Sequence, residues 1–488
     1  MSNNENPTRI STTRLTAEHF YKFFQCPHWI WYDLYADASR RKEPSPLLQM
    51  IYRGKAHDAL STVRDHKKFE ELLPEQYQDL EEAYIATLAL MKQGKNIYRG
   101  VLMTENWVGM PDLLEARPGK SELGPWEYVV YDVQRTIDLR DEQKFPLVFY
   151  SLILEKIQGV RPREAYMIDP QGQERSFLIS DFTDRFHVTR EEIEKILDGE
   201  KPAPFLKSSC KRTPWYALCL EGAQECNDVS LVYRLSQADQ RRLYGIGIHT
   251  VQELADANAD VLRSQFEDWP YDKITRLQNQ AKVLVSNKPL ILRRPDFPEV
   301  RYEVYFDVES DPIRDVDYLF GVLVHDTKTG TTKYEKFIAE KPEDEASAWQ
   351  GFLDRLATFD DFVIYHYAFY EHMVFDRLVT RHGAPDVIIQ KFREHTIDLH
   401  QKTVDSVIFP LYFYTLKDVA KFLGYQWSDS EAGGAESVAW YDQWLKTGDR
   451  TFLDRVIKYN EDDVRATMML KQWLATQKPV KHRESLDE

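Results

Sequence analysis

The sequence predicts a multidomain protein of mixed α/β class, and three observations carry that expectation. The chain has 488 residues, enough for two or three domains. Strand-like stretches of alternating or continuous apolar residues occur in both halves, at Glu127–Gln134 and Val300–Ser310. Helical apolar periodicity follows them, most clearly at Phe452, Leu453, Val456, Ile457, Val464, Met468 and Met469.

Composition bounds the function classes. With 43% hydrophobic and 29% charged residues the chain reads as globular. A net charge of −16 argues against a protein that coats polyanions. Nucleic acid as a substrate stays open, because excess acid can serve as metal ligands and phosphate can be met by backbone N–H groups and local basic patches. No apolar run approaches the ~18 residues of a membrane-spanning helix, and the polar start Met1–Arg9 lacks a signal-peptide core. Four cysteines in so long a chain argue against a disulfide framework. A cytoplasmic enzyme is the expectation.

The first region, residues 10–228, opens with an amphipathic aromatic helix over Leu15–Tyr35 that carries Cys26. Gly54–His57 lies in a helical context, Gly109–Asp112 forms a G-M-P-D turn, Glu127–Gln134 reads as a buried strand, and a helix with Phe145–Tyr150 follows. This order resembles the RecB-like branch of the PD-(D/E)xK nucleases. The resemblance implies that fold, with His57, Asp112 and Asp132 as metal ligands and Tyr150 as the tyrosine of the last motif. Two positions depart from the family. Gln134 stands where the family has a lysine that offsets charge on the phosphate and water, and Pro146 stands where it has a glutamine. The resemblance therefore implies nucleic-acid binding with a weakened or inactive nuclease site.

Cys26 precedes that region, and Cys210, Cys219 and Cys226 follow it. One early and three late cysteines resemble the iron–sulfur RecB-like nucleases, which implies a [4Fe–4S] cluster on four thiolates. The family's late cysteines begin C-x-x-C, whereas Thr213 stands three residues after Cys210, with Cys226 as the replacement ligand. A structural Cys₄ zinc site and unrelated buried thiols are the alternatives.

Residues 229–288 centre on Leu243–Ala255. A Gly245-Ile246-Gly247 turn between apolar stretches resembles a helix-hairpin-helix, which implies that Gly245, Gly247 and Thr250 present backbone N–H groups to phosphate. An ordinary αα-hairpin is the plain alternative. Residues 289–298, rich in proline, read as an extended linker.

The last region, residues 299–478, carries the sharpest pattern. Val300, Tyr302, Val304, Phe306 and Val308 share one face of a strand; Asp307 and Glu309 project side by side from the other. Two carboxylates that close repel each other unless a cation lies between them, and a divalent metal is the usual solution. An apolar run at Ile364–Tyr370 ends in Glu371. Tyr459 and Asp463 are four apart and share a helix face. The trio resembles the motifs of the DEDD superfamily, the ribonuclease H-like 3′→5′ exonucleases, in the variant with tyrosine in the third motif. Ile397–Leu399 and Tyr414–Ala420 stand where the YprB-like branch has similar blocks. The resemblance implies Asp307, Glu309, Glu371 and Asp463 as ligands of two Mg²⁺ or Mn²⁺ ions, with Tyr459 orienting the water or helping to deprotonate it. Glu371 departs from the usual aspartate, and Asp376 is the fallback. Gly433-Gly434 reads as a surface loop near this site, and Trp440, Trp444 and Leu445 as core.

The whole order resembles a bacterial family of predicted nucleases that joins a RecB-like domain, a helix-hairpin-helix and a YprB-like ribonuclease H-fold domain. It implies a metal-dependent nuclease acting on DNA or RNA, with a single-stranded 3′ end as the entry point. A nucleic-acid-binding scaffold without catalysis, and a nuclease acting through the RecB-like domain, are the competing readings.

Overall fold

The computed structural model describes residues 14–43, 47, 50, 68–72, 78–133, 141–169 and 172–478. They fall into two compact units, with the boundary between Glu221 and Gly222.

The first unit is built on a six-stranded sheet. Its order is Glu70–Glu71, Ile97–Tyr98, Leu113–Ser121, Gly124–Val133, Glu164–Ile168, Glu174–Leu178. Leu113–Ser121 and Gly124–Val133 form an antiparallel hairpin, and Glu164–Ile168 runs parallel to the latter. A parallel neighbour needs a crossover, and the helix Asp141–Gln158 falls between the two strands in the chain. Phe145 and Phe149 from that helix gather with Phe20 and Phe186; Phe20 lies 5.5 Å from Phe149 and 4.9 Å from Phe186, ring centre to ring centre. The single helix expected over Leu15–Tyr35 is two helices, Ala17–Gln25 and Pro27–Tyr35. Pro27 supplies no N–H to continue the first helix and suits the first position of the second, so Cys26 sits extended at the joint. Pro146, by contrast, lies inside its helix.

The second unit begins with the helices Gln237–Gly245, Val251–Asp256, Ala259–Gln265 and Tyr271–Ser286. Gln280 docks the last of these on the rest of the unit. Its amide donates to the Phe409 carbonyl (2.7 Å) and its carbonyl accepts from the Tyr414 hydroxyl (3.0 Å). The stretch expected as a plain linker contributes a short strand, Leu290–Ile291, paired antiparallel with Val407–Ile408.

A five-stranded sheet forms the body of this unit, in the order Thr331–Ile338, Val316–Asp326, Tyr302–Asp311, Phe362–His366, Thr396–Asp398. The first three strands in sequence make an antiparallel meander; the last two are parallel to Tyr302–Asp311. The alternation of the central strand divides its two faces. Val304, Phe306 and Val308 enter a large core with Phe320, Phe352, Phe375 and Phe392, where Phe306 stacks on Phe352 at 4.7 Å. Tyr305 turns the other way and packs with Leu323, Val363 and Val464 of the 27-residue helix Arg450–Thr476. Among the described residues no helix is long and apolar enough to cross a membrane.

Phe352 is fully buried and packs on Phe306 of the central strand, Phe320 of its neighbour and Phe337 of the edge strand beyond. Phe352→Ala is expected to destabilise the second unit by about 3–5 kcal/mol, through lost burial and the cavity left behind. Urea unfolding followed by tryptophan fluorescence checks this, and a loss below about 1 kcal/mol would show that Phe352 does not anchor the core.

Candidate active site

Strand and helix meet face to face. Glu303, Tyr305, Asp307 and Glu309 all point from the central strand toward the helix Arg450–Thr476. Lys471 pairs with Glu303, Val464 packs on Tyr305, and the Asn460 amide donates to Asp307 Oδ2 at 2.7 Å. As strand numbers rise, helix numbers fall, so the two elements cross antiparallel. Asp463 is thereby carried to the end of the strand. One carboxylate oxygen each from Asp307, Glu309 and Asp463 lies within 4.8 Å of the others. The ladder shifts register between Glu309 and Ser310, a bulge that ends regular pairing at this point.

Neutral donors surround the three acids. Trp427 Nε1 donates to Asp463 Oδ1 at 2.6 Å, and the Tyr459 hydroxyl donates to the same carboxylate. Ser437 donates to Glu309, as does Asn460. The Tyr334 hydroxyl donates to Asn460 Oδ1 at 2.8 Å and so fixes the amide that holds Asp307. Gly321 pairs with Asp307 across the sheet. A Cβ at Gly321 would lie 1.6 Å from Asn460 Oδ1, so glycine is what lets the amide reach the strand.

The acids are out of balance. Burial pushes Asp307 well above the ordinary carboxylate range, and the charges of Asp463, Glu309 and Glu371 push it further. Burial and then the charge of Asp463 raise Glu309. Burial raises Asp463 to about 6 against the pull of Trp427 and Tyr459. Tyr459 is held well above its ordinary value by burial and then by Asp463, Glu309 and Asp307, so its phenol stays protonated in these surroundings.

Glu371 lies in the first turn of the helix Tyr370–His382 and is buried, with His366 Nδ1 3.3 Å from its Oε2. Its charge reaches Asp307, although it stands outside the tight group of three. Asp376 is exposed and pairs with Arg393 at 3.1 Å. Between the two alternatives the geometry favours Glu371.

Residues 304–475 match the family model of the RNase_H superfamily. This part of the chain is an RNase H-like domain, a fold of metal-dependent nucleases. The match begins on the strand that bears Asp307 and ends on the helix that bears Asp463. No curated protein matches the chain.

Such a domain implies two divalent ions, and the residues fit them. All the donors in the group are carboxylate oxygens, a set suited to Mg²⁺ or Mn²⁺. The raised acids lack the positive charge that a divalent ion supplies. Sequence reasoning missed Asn460, Trp427, Ser437 and Gly321. Asn460 stands inside the Y-N-E-D-D stretch, but its contact depends on the strand register, which no single stretch encodes.

In the first unit, His57 and Gln134 lie outside the described residues. Asp112 and Asp132 are brought toward Tyr150. Burial raises Tyr150 well above its ordinary value, and the charges of Asp132 and then Asp112 add to the effect. Asp112 also accepts from the Val133 backbone N–H at 2.8 Å. A Cβ at Gly109 would lie 2.6 Å from the Tyr150 ring, which accounts for the glycine of the G-M-P-D turn.

Three of the four cysteines are gathered. Cys26, Cys210 and Cys219 are buried with their sulfurs within 4.8 Å of one another, and Cys26 and Cys219 are 3.5 Å apart. Cys210 is held well below the usual thiol range by hydrogen bonds from Cys219 and Cys26. Cys226 is not in the group; it is exposed and donates to the Gly222 carbonyl at 3.1 Å.

Gly245, Gly247 and Thr250 lie in a turn between two short helices, with Gly247 at φ +82°. The amides that would meet a phosphate are engaged within the chain. Gly247 N–H donates to Tyr244, Ile248 N–H to Leu243 and Val251 N–H to Asn227. His249 and Thr250 N–H groups both donate to Glu253, at 2.8 and 2.9 Å, in a capping box. A phosphate at this turn would have to displace the Glu253 carboxylate.

The raised acids set the sign of a pH dependence. A carboxyl whose pKa is higher folded than unfolded keeps a proton the unfolded chain has lost. Stability without metal therefore falls as pH rises from the ordinary aspartate value of 3.8 through about 6, the value of Asp463. Divalent ions offset the cost. Excess Mn²⁺ is expected to raise Tm by several degrees at about pH 7.5 and hardly at all at about pH 4.5. Asp307→Asn should raise the metal-free Tm at the higher pH and abolish the Mn²⁺ shift, read by scanning calorimetry; an equal Mn²⁺ shift at both pH values would contradict this account.

Proposed function

We propose that the RNase H-like domain is a 3′→5′ exonuclease that hydrolyses phosphodiester bonds of DNA or RNA, entered by a single-stranded 3′ end. The observation that carries this reading is the convergence of Asp307, Glu309 and Asp463, with Tyr459 one helical turn from Asp463 and donating to it. Two bound Mg²⁺ or Mn²⁺ ions supply the charge that lowers the pKa of water and neutralises the phosphate. Asp307, Glu309, Asp463 and Glu371 would hold them.

The chain's own groups then do the positioning. Asn460 and Tyr334 fix the Asp307 carboxylate, and Trp427 fixes one oxygen of Asp463. Tyr459, kept as a phenol, orients the attacking water by hydrogen bonding rather than taking its proton. The water gives up a proton to solvent as its oxygen forms the new bond to phosphorus; the bond from phosphorus to the O3′ of the preceding nucleotide breaks, and that oxygen takes a proton from solvent.

The first unit is read as a nucleic-acid-binding nuclease fold that is weak or inactive in its own right, since glutamine replaces the charge-offsetting lysine at residue 134. The approach of Asp112 and Asp132 to Tyr150 favours a second reading, in which this unit cleaves as well. Cys26, Cys210 and Cys219 are assigned as soft-metal ligands, for an iron–sulfur cluster or zinc completed by a further ligand.

End-labelled single-stranded DNA and RNA incubated with Mn²⁺ test the proposal. The wild type is expected to give a ladder from the 3′ end. Asp307→Ala and Asp463→Ala should each lower kcat by about 10³-fold or more, Tyr459→Phe by about 10²-fold, and Asp112→Ala should leave the ladder intact. Loss of cleavage on Asp112→Ala, with Asp307→Ala harmless, would move the activity to the first unit. Binding with no cleavage of any substrate would leave a scaffold.

A further inference from the structure

Lys417 has no part in the scheme above, and its surroundings are unusual. It lies in the first turn of the short helix Leu416–Phe422 and is half-buried. Its ammonium donates to the Ala432 carbonyl and sits 5.0 Å from the centre of the Tyr459 ring and 5.7 Å from that of Trp427. Those two side chains are the ones that donate to Asp463. The positive charge of Lys417 acts on both Glu309 and Asp463. No carboxylate among the described residues forms an ion pair with it; the charges of Asp463, Glu436 and Glu309 act on it from nearby, and that of Lys421 opposes them.

Its place is fixed from several sides. Ala432 ends a loop held by Arg455 on Asp429 (2.7 Å) and by the Ser428 N–H on Asp462 (2.8 Å). Gly433 follows. A Cβ there would lie 2.5 Å from Glu436 Oε2, so the glycine leaves room for that carboxylate, and Lys417 Nζ lies at ordinary contact distance, 3.7 Å, from the same point. The next helix, Gly434–Thr447, delivers Ser437 to Glu309. Lys417 thus ties the loop that precedes one donor of the site to the helix that carries the others.

Charge bookkeeping gives this cation a task. Four ionised carboxylates are balanced by two divalent ions. The phosphodiester's own charge, and the charge that builds on it in the transition state, are left without a partner. A fixed ammonium beside the cluster supplies one, and it also makes the cluster less attractive to metal than four bare acids would be.

We propose that Lys417 is a positioning and charge-balancing residue of this site, which weakens its resting affinity for divalent ions and in return stabilises the anionic transition state. The proposal rests on the nuclease reading of the RNase H-like domain. Its signature is a pair of opposite effects. Lys417→Met is expected to bind Mn²⁺ about threefold to tenfold more tightly, because a like charge has been removed. The same variant should lose about 10-fold to 100-fold in kcat with KM little changed. Lys417→Arg, which keeps the charge, should bind Mn²⁺ as the wild type does.

Isothermal titration of the full chain with Mn²⁺, without substrate, reads the first effect; single-stranded digestion reads the second. Should Lys417→Met fail to fold, Lys417→Gln keeps a donor for Ala432 and gives the same comparison. Unchanged or weaker Mn²⁺ binding in the neutral variants, with wild type active, would overturn the proposal and leave Lys417 as a loop pin. A wild type that neither binds Mn²⁺ nor cleaves would overturn the nuclease reading and this proposal with it.

Discussion

The second unit is organised around a repulsion. Asp307, Glu309 and Asp463 are held together, the first partly and the other two fully buried, by the pleat of one strand and the pitch of one helix. At 4 Å two like charges cost about 1 kcal/mol in water and about 4 kcal/mol in surroundings of effective dielectric near 20. The same domain shows how a chain relieves such a cost when the acids are structural. Asp317 pairs with Arg377 at 2.5 Å, Asp311 and Asp442 share Arg314 at 2.6 and 2.5 Å, and Glu345 meets Arg381 at 2.9 Å. Accordingly Glu345 and Asp442 sit below the ordinary carboxylate range, whereas Asp307, Glu309 and Asp463 sit above it. Burial raises every one of these acids, but at Glu345 the Asp317 N–H, His382 and Arg381 outweigh it, and at Asp442 Lys446 and Arg314 do.

Neutral donors around the cluster hold its geometry without answering its charge. Asn460, Trp427, Tyr459 and Ser437 each satisfy a lone pair and orient a carboxylate, yet none contributes a full positive charge. An arginine in place of any of them would stabilise the empty domain and compete with a divalent ion for the same oxygens. The arrangement leaves stability on one side and keeps the acids available on the other, the usual relation between a functional site and the fold that bears it.

Much of this was legible in the sequence because it depends on local periods. Alternation placed Asp307 and Glu309 on one face, and a spacing of four placed Tyr459 over Asp463. Other features depend on register and packing. Gly321 reads as an ordinary strand glycine until the ladder sets it opposite Asp307. The aromatic stretch over Leu15–Tyr35 shows helical spacing throughout, and only the backbone chemistry of Pro27 divides it. Cys226 fits a four-cysteine spacing in the chain, but the folded first unit gathers three. The glycine turn at residues 245–247 has the look of a phosphate-binding hairpin, and the Glu253 capping box that occupies its amides is itself written in the sequence as T-V-Q-E.

The far end of the central strand explains how its carboxylate end is tolerated. Glu303 is buried there too, but it accepts from Tyr305 at 2.7 Å and is paired with Lys471, whose ammonium lies 5.3 Å from the Phe297 ring and 5.5 Å from the Tyr365 ring. Strand and helix are therefore clamped by an ion pair at one end and held apart in charge at the other. Between the two ends, Tyr305, Leu323 and Val464 form an apolar seam. Because the seam and the ion pair fix the register, the helix cannot slide to separate Asp463 from Asp307. Repulsion that would otherwise relax by a small shift is retained as a preference for whatever positive charge can enter, and an oxygen-only donor set makes a hard divalent cation the natural occupant.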